Sequence, residues 1–140
     1  MVNSILVPID GSDHAWEALD FAISEFPEAN LTCLHVIDVN MFTGDTTWFS
    51  DPERVREQRE KKANALFAET RERVANSEIK VDTAIEYGDI PREIVKYIEA
   101  GDFDLTVISS QGRTGLSRAL LGSVAESVVR HSPTPVLVVR

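Results

Sequence analysis

The chain reads as one α/β domain, a doubly wound parallel sheet covered by helices on both faces. Three observations predict it. Short apolar runs of strand length alternate with stretches of helical period, in the sequence β-α-β-α-β-α-β-α-β. The 140 residues hold no internal repeat, low-complexity tract or linker, so a single domain covers 1–140. A long glycine-bearing loop joins the fourth strand to the last helix, and ordered loops of that length in compact domains usually serve a function.

Taken in order, Ser4 to Ile9 is a continuous apolar run, the mark of a strand buried on both faces. Ser12 caps a helix whose apolar stripe is Trp16, Leu19, Ala22, Ile23 and Phe26, and Pro27 stops it. Leu31 to Val39 is the second strand, and Asn40 to Phe49 an irregular loop. Ser50-Asp51-Pro52-Glu53 starts a long charged helix with Val55, Ala63, Leu66, Phe67 and Val74 facing inward. Ile79 to Glu86 alternates and forms the third strand. Asp89-Ile90-Pro91 opens a short helix carrying Ile94, Val95 and Ile98. Leu105 to Ser109 is the fourth strand, Ser123 to His131 the fourth helix and Pro135 to Arg140 the fifth strand.

Composition narrows the function. A net charge of −9 repels nucleic acid and anionic membranes at long range. No apolar run approaches the roughly 20 residues that span a bilayer. Met1-Val2-Asn3 leads straight into a strand, so no signal peptide is expected and a cytoplasmic location is. The single cysteine, Cys33, sits in an apolar strand and reads as inert. No Gly-x-Ser-x-Gly elbow, His-Glu-x-x-His pair, Cys-x-x-Cys pair or Walker lysine loop occurs, and His14, His35 and His131 are scattered. With no group suited to activate water, no catalytic residue is assigned and any ATP hydrolysis is expected to be slow.

The informative stretch is Ser109 to Ser123. A strand leads into a loop with Gly112 and Gly115, and the loop into Ser123-Val124-Ala125-Glu126, which reads as a capping box with Ser123 as the N-cap. Free backbone N–H groups and the positive end of a helix dipole then converge, which suits a phosphate. Gly112 and Gly122 either supply turn conformations or let the backbone approach a phosphate. Ser123 can cap the helix, donate to a phosphate oxygen, or do both. Arg113 and Arg118 are phosphate ligands or solvated loop charges. Asp10 follows the first strand directly and can brace the turn through Gly11 and Ser12, or lie near a phosphate-bound Mg²⁺.

The spacing Gly112, nine residues, Gly122, Ser123 resembles the nucleotide-binding signature of the universal stress protein family: Gly, two residues, Gly, nine residues, Gly, then Ser or Thr. Ser109 stands where that signature has its first glycine. The resemblance extends over Ile5-Leu6-Val7-Pro8-Ile9-Asp10-Gly11-Ser12, Leu34-His35-Val36-Ile37-Asp38 and Pro133-Thr134-Pro135-Val136-Leu137-Val138-Val139. It implies a Rossmann-like, adenine-nucleotide-binding fold with strand order 3-2-1-4-5. The ligand it implies is ATP, or AMP or ADP, with Mg²⁺ held through the phosphates. Pro8, Asp10, Val36, Ser109, Gly112, Arg113, Gly122, Ser123 and Val124 would form the site, with Asp10 on the ribose hydroxyls and the Val36 backbone on the adenine edge. A stress-response sensor or signalling module follows, acting as a homodimer through Val136–Arg140. Gly122→Val is expected to block ATP without disturbing the fold. The rival readings are a nucleotide-free interaction dimer, suggested by Ser109, and a slow ATPase. The loop with Met41, Phe42, Trp48 and Phe49 either packs against core or dimer, or covers the base as a lid.

Overall fold

The computed structural model describes residues 1–39, 51–111 and 121–140. Among these, five strands form one parallel sheet: β1 (Ser4–Pro8), β2 (Asn30–Asp38), β3 (Val81–Gly88), β4 (Leu105–Ser109) and β5 (Val136–Val139). Their order is β3-β2-β1-β4-β5, as the family resemblance implied. Among the described residues four helices connect them: α1 (Asp13–Glu25), α2 (Pro52–Val74), α3 (Ile90–Ala100) and α4 (Ser123–His131).

Strand alternation divides the core in two. Ile5, Val7, Leu31, Cys33, Leu105 and Val107 turn to one face, where Ala18, Leu19 and Ala22 of α1 and Ala63, Phe67 and Val74 of α2 cover them. Leu6, Leu34, Val36 and Ile108 turn to the other, under Ile94 and Ile98 of α3 and Ala125 and Val128 of α4. The central strands are therefore buried on both faces, which is why they read as unbroken apolar runs. Cys33 is buried, and that burial pushes its thiol up to about 12, so it stays protonated and unreactive at neutral pH.

Caps set three of the four helix starts. Ser12 Oγ accepts the Ala15 N–H at 3.1 Å, Asp51 the Arg54 N–H at 3.3 Å, and Asp89 the Arg92 N–H at 3.3 Å. α1 ends at Glu25, with Phe26 as its C-cap just ahead of Pro27. Arg73 then ties α2 to α1, with Asp20 at 2.7 Å and the Trp16 ring 4.8 Å below its guanidinium.

The limits of four strands differ from the sequence-based expectation. β1 stops one residue earlier, at Pro8, β2 runs one residue earlier at both ends, and β5 loses a residue at each end. β3 runs two residues later, because Ile79 joins the core before the ladder begins while Tyr87 and Gly88 still pair with Ile37 and Asp38. Alternation reports which face a side chain takes; it does not report where a neighbouring strand stops. Among the described residues, no helix is long and apolar enough to cross a membrane.

Thr106 lies fully buried in β4, and its hydroxyl has no hydrogen-bond partner among the described residues. An unsatisfied buried hydroxyl opposes folding. Thr106→Val, which keeps the shape and removes the orphan, is expected to stabilise the domain by about 1 kcal/mol. The check is a urea midpoint that rises at unchanged slope.

Candidate functional site

The connections diverge at the middle of the sheet. α1 and α2 cover one face, α3 and α4 the other, so a crevice opens beyond the carboxyl ends of β1 and β4. A cleft of about 370 Å³ occupies it. Pro8, Asp10, Val36, Ser109, Gly122, Ser123 and Val124 all line this cleft. Gly112 and Arg113 lie outside the described residues, as do Gly115, Arg118 and the loop carrying Met41, Phe42, Trp48 and Phe49.

Asp10 is held by its own turn. Its Oδ1 accepts from the Ser12 N–H at 2.9 Å and from the Ser12 hydroxyl at 2.6 Å. Gly11 between them has φ +83°, a conformation that favours glycine. The carboxylate is thus fixed at the cleft before any ligand arrives.

β2 outruns β1. Pro8 pairs with Leu34, and the Leu34 carbonyl accepts the Ile9 N–H at 2.8 Å, while β2 continues to Asp38. In a parallel ladder the backbone groups of alternate residues face the same neighbour. Val36 therefore turns its N–H and C=O toward the side where β1 has ended, one donor beside one acceptor.

The last helix corrects the capping-box expectation. Gly122, not Ser123, is the N-cap, and its carbonyl accepts the Glu126 N–H at 2.9 Å. Glu126 is then one position too far along the helix to reach back, and its carboxylate pairs with Arg130 at 3.0 Å instead. Among the described residues, no side chain caps α4. Among the described residues, the N–H groups of Ser123, Val124 and Ala125 have no acceptor, and the exposed Ser123 hydroxyl is unengaged. All three residues line the cleft.

Gly122 is required by packing. Its N–H donates to the Ser110 carbonyl at 2.5 Å, and a Cβ on Gly122 would stand 2.9 Å from that same oxygen. Ser110 N–H in turn donates to Val139 O at 2.9 Å, so one residue joins β5 to the start of α4. The Ser109 hydroxyl donates to the Gln111 carbonyl at 2.8 Å and so serves the strand exit.

The universal stress protein family model matches residues 1–140. The chain belongs to the universal stress protein family. It is 34% identical over 146 residues to Universal stress protein MJ0531 of Methanocaldococcus jannaschii, covering all of this chain and 83% of that one. Among solved structures, hypothetical protein MJ0577 superposes with a TM-score of 0.86 at 30% identity, over 99% of this chain and 96% of that one. More distant universal stress protein structures share the fold. One, in complex with cAMP, has a TM-score of 0.74 at 24% identity, over 99% of this chain and 97% of that one. Another, from Arabidopsis thaliana with AMP bound, has 0.71 at 18%, over 98% and 90%. A third, from Archaeoglobus fulgidus in complex with dAMP, has 0.61 at 21%, over 100% and 98%.

Some lining residues of this universal stress protein escaped the sequence reading. Arg59 and Lys62 reach the cleft from α2, and Ile90 and Ile94 from α3. His35 also lines it, buried, with Nδ1 2.8 Å from the Ile9 carbonyl; a carbonyl only accepts, so Nδ1 carries the proton. Arg59, Lys62 and Ile94 belong to no local motif, and their spacing matches ordinary core or surface positions.

Proposed function

We propose that this universal stress protein binds an adenine nucleotide in the β1–β4 cleft, as ATP with Mg²⁺ or as AMP or ADP. The observation that carries the reading is the uncapped start of α4. Its three N–H donors and the positive end of its dipole open into the cleft, an arrangement complementary to a phosphate. The donor and acceptor of Val36 match the adjacent donor and acceptor on an adenine edge. Asp10 is an acceptor suited to the ribose hydroxyls. Three relatives of this fold hold cAMP, AMP and dAMP, which supports the class of ligand. Among the described residues no three His, Cys, Asp or Glu side chains cluster, so Mg²⁺ would travel on the phosphates, with Asp10 nearby. Gly112 and Arg113 complete the phosphate loop in this reading.

The protein then acts in the cytoplasm as a stress-response sensor or signalling module whose surface responds to the bound nucleotide. β5 is an edge strand with half-buried Val136, Leu137, Val138 and Val139. Pairing of Val136–Arg140 with a second copy would satisfy its open backbone groups and form a homodimer.

Ser123→Glu tests the site. A carboxylate in the first turn suits the helix dipole, so stability should hold within about 0.5 kcal/mol. The same charge occupies the phosphate position, so affinity for AMP and ATP should fall at least about 100-fold by calorimetry. Unchanged nucleotide affinity in the folded variant would sink the assignment.

A further inference from the structure

We infer that α2 supplies the cationic wall of the cleft, with Lys62 and Arg59 facing the phosphates of the bound ligand. The inference rests on the nucleotide reading above and adds residues that no glycine signature contains.

Charge poses the first question. The protein carries −9 overall, and the cleft lining includes the carboxylates of Asp10 and Asp38. A nucleotide is itself an anion, so a cleft with those two charges alone would reject it. Among the described lining residues the Lys and Arg side chains are Arg59 and Lys62, both from α2. They offset Asp10 and Asp38 and leave the described lining of the cleft locally neutral within an acidic protein.

Position answers where these cations act. α2 packs directly over the Asp10 turn, since a Cβ on Gly11 would meet Leu66 Cδ2 at 3.0 Å. Lys62 lies one helical turn before Leu66, on the same face, and Arg59 a further turn back. The two cations therefore stand along the Asp10 side of the cleft, where the proposed ribose and phosphates lie. Lys62 makes no ion pair among the described residues. The phosphates would then be held from two sides, by backbone N–H groups of α4 and by charged side chains of α2.

Such a wall favours ligands in proportion to their phosphate charge. Adenosine gains nothing from it, AMP gains some, and ATP gains most.

The experiment is calorimetry or competition with adenosine, AMP and ATP on the full chain and on Lys62→Gln, Arg59→Gln and Lys61→Gln. Lys61 is exposed, does not line the cleft and changes net charge equally, so it controls for long-range electrostatics. The expected result is that each cleft variant loses about tenfold in ATP affinity and less in AMP affinity. Adenosine affinity, and all affinities of Lys61→Gln, should stay within about twofold. If Lys62→Gln and Arg59→Gln bind ATP like Lys61→Gln, or lose adenosine as much as ATP, the wall is not a phosphate contact and the inference is overturned. If the unmodified protein binds none of the three ligands, the nucleotide reading itself falls and this inference with it.

Discussion

Gly122→Val should lower the stability of the domain by about 2 kcal/mol and abolish nucleotide binding together. The backbone at Gly122, φ −64° and ψ 156°, is open to any residue, so the cost does not come from torsional strain. It comes from contact. The new Cβ would stand 2.9 Å from the Ser110 carbonyl oxygen, which already accepts the Gly122 N–H. Ser110 cannot retreat without loosening its own bond to Val139. The variant therefore pushes the start of α4 away from β4, and the N–H groups that face the cleft move with it. The sequence reading expected this substitution to block ATP in an undisturbed fold; the packing around Gly122 makes it a structural lesion as well. A urea titration and ATP calorimetry on the same preparation check it. Wild-type midpoint and affinity in Gly122→Val would contradict the tight β4–α4 junction.

Phe67→Ala is expected to cost about 3–4 kcal/mol, a large share of the total stability of a domain this size. α2 is a long, highly charged helix, and little of it is apolar. It docks through Val55, Ala63, Phe67, Thr70 and Val74, of which Phe67 is the largest and is only 3% exposed. Removing the ring leaves a cavity in the core layer that α2 shares with α1 and the sheet, and dispersion contacts are lost with no substitute. The consequence reaches the cleft, because Arg59 and Lys62 ride on the same helix. Thermal and urea denaturation measure the stability. A midpoint shift equivalent to less than about 1 kcal/mol would mean that α2 is held chiefly by its surface ion pairs, such as Arg73 with Asp20.

Much of this protein is written locally. Ser12, Asp51 and Asp89 begin helices because a short side-chain oxygen captures a nearby N–H, an interaction within one turn of chain. The unbroken runs of β1, β2 and β4 record burial on two faces, and the stripes of α1 and α3 record burial on one. The Asp10-Gly11-Ser12 turn is likewise local, and its bracing role was visible in the residues. The family resemblance added the strand order, which periodicity does not encode.

Tertiary structure decided the rest, because it depends on residues far apart in the chain. Ser123-Val124-Ala125-Glu126 satisfies the pattern of a capping box, yet the approach of Ser110 to Gly122 moves the helix start back by one residue and leaves three donors with no acceptor among the described residues. The Val36 backbone becomes available only because β1 ends opposite Leu34. Arg59 and Lys62 look like any solvated pair on a charged helix until Leu66 packs against Gly11 and brings that face to the cleft. The sequence by itself determined the elements and the family, since each rests on short-range pattern. The site was decided by where strands stop and which helix lies over which turn, and those follow from packing between segments whose sequences carry no trace of one another.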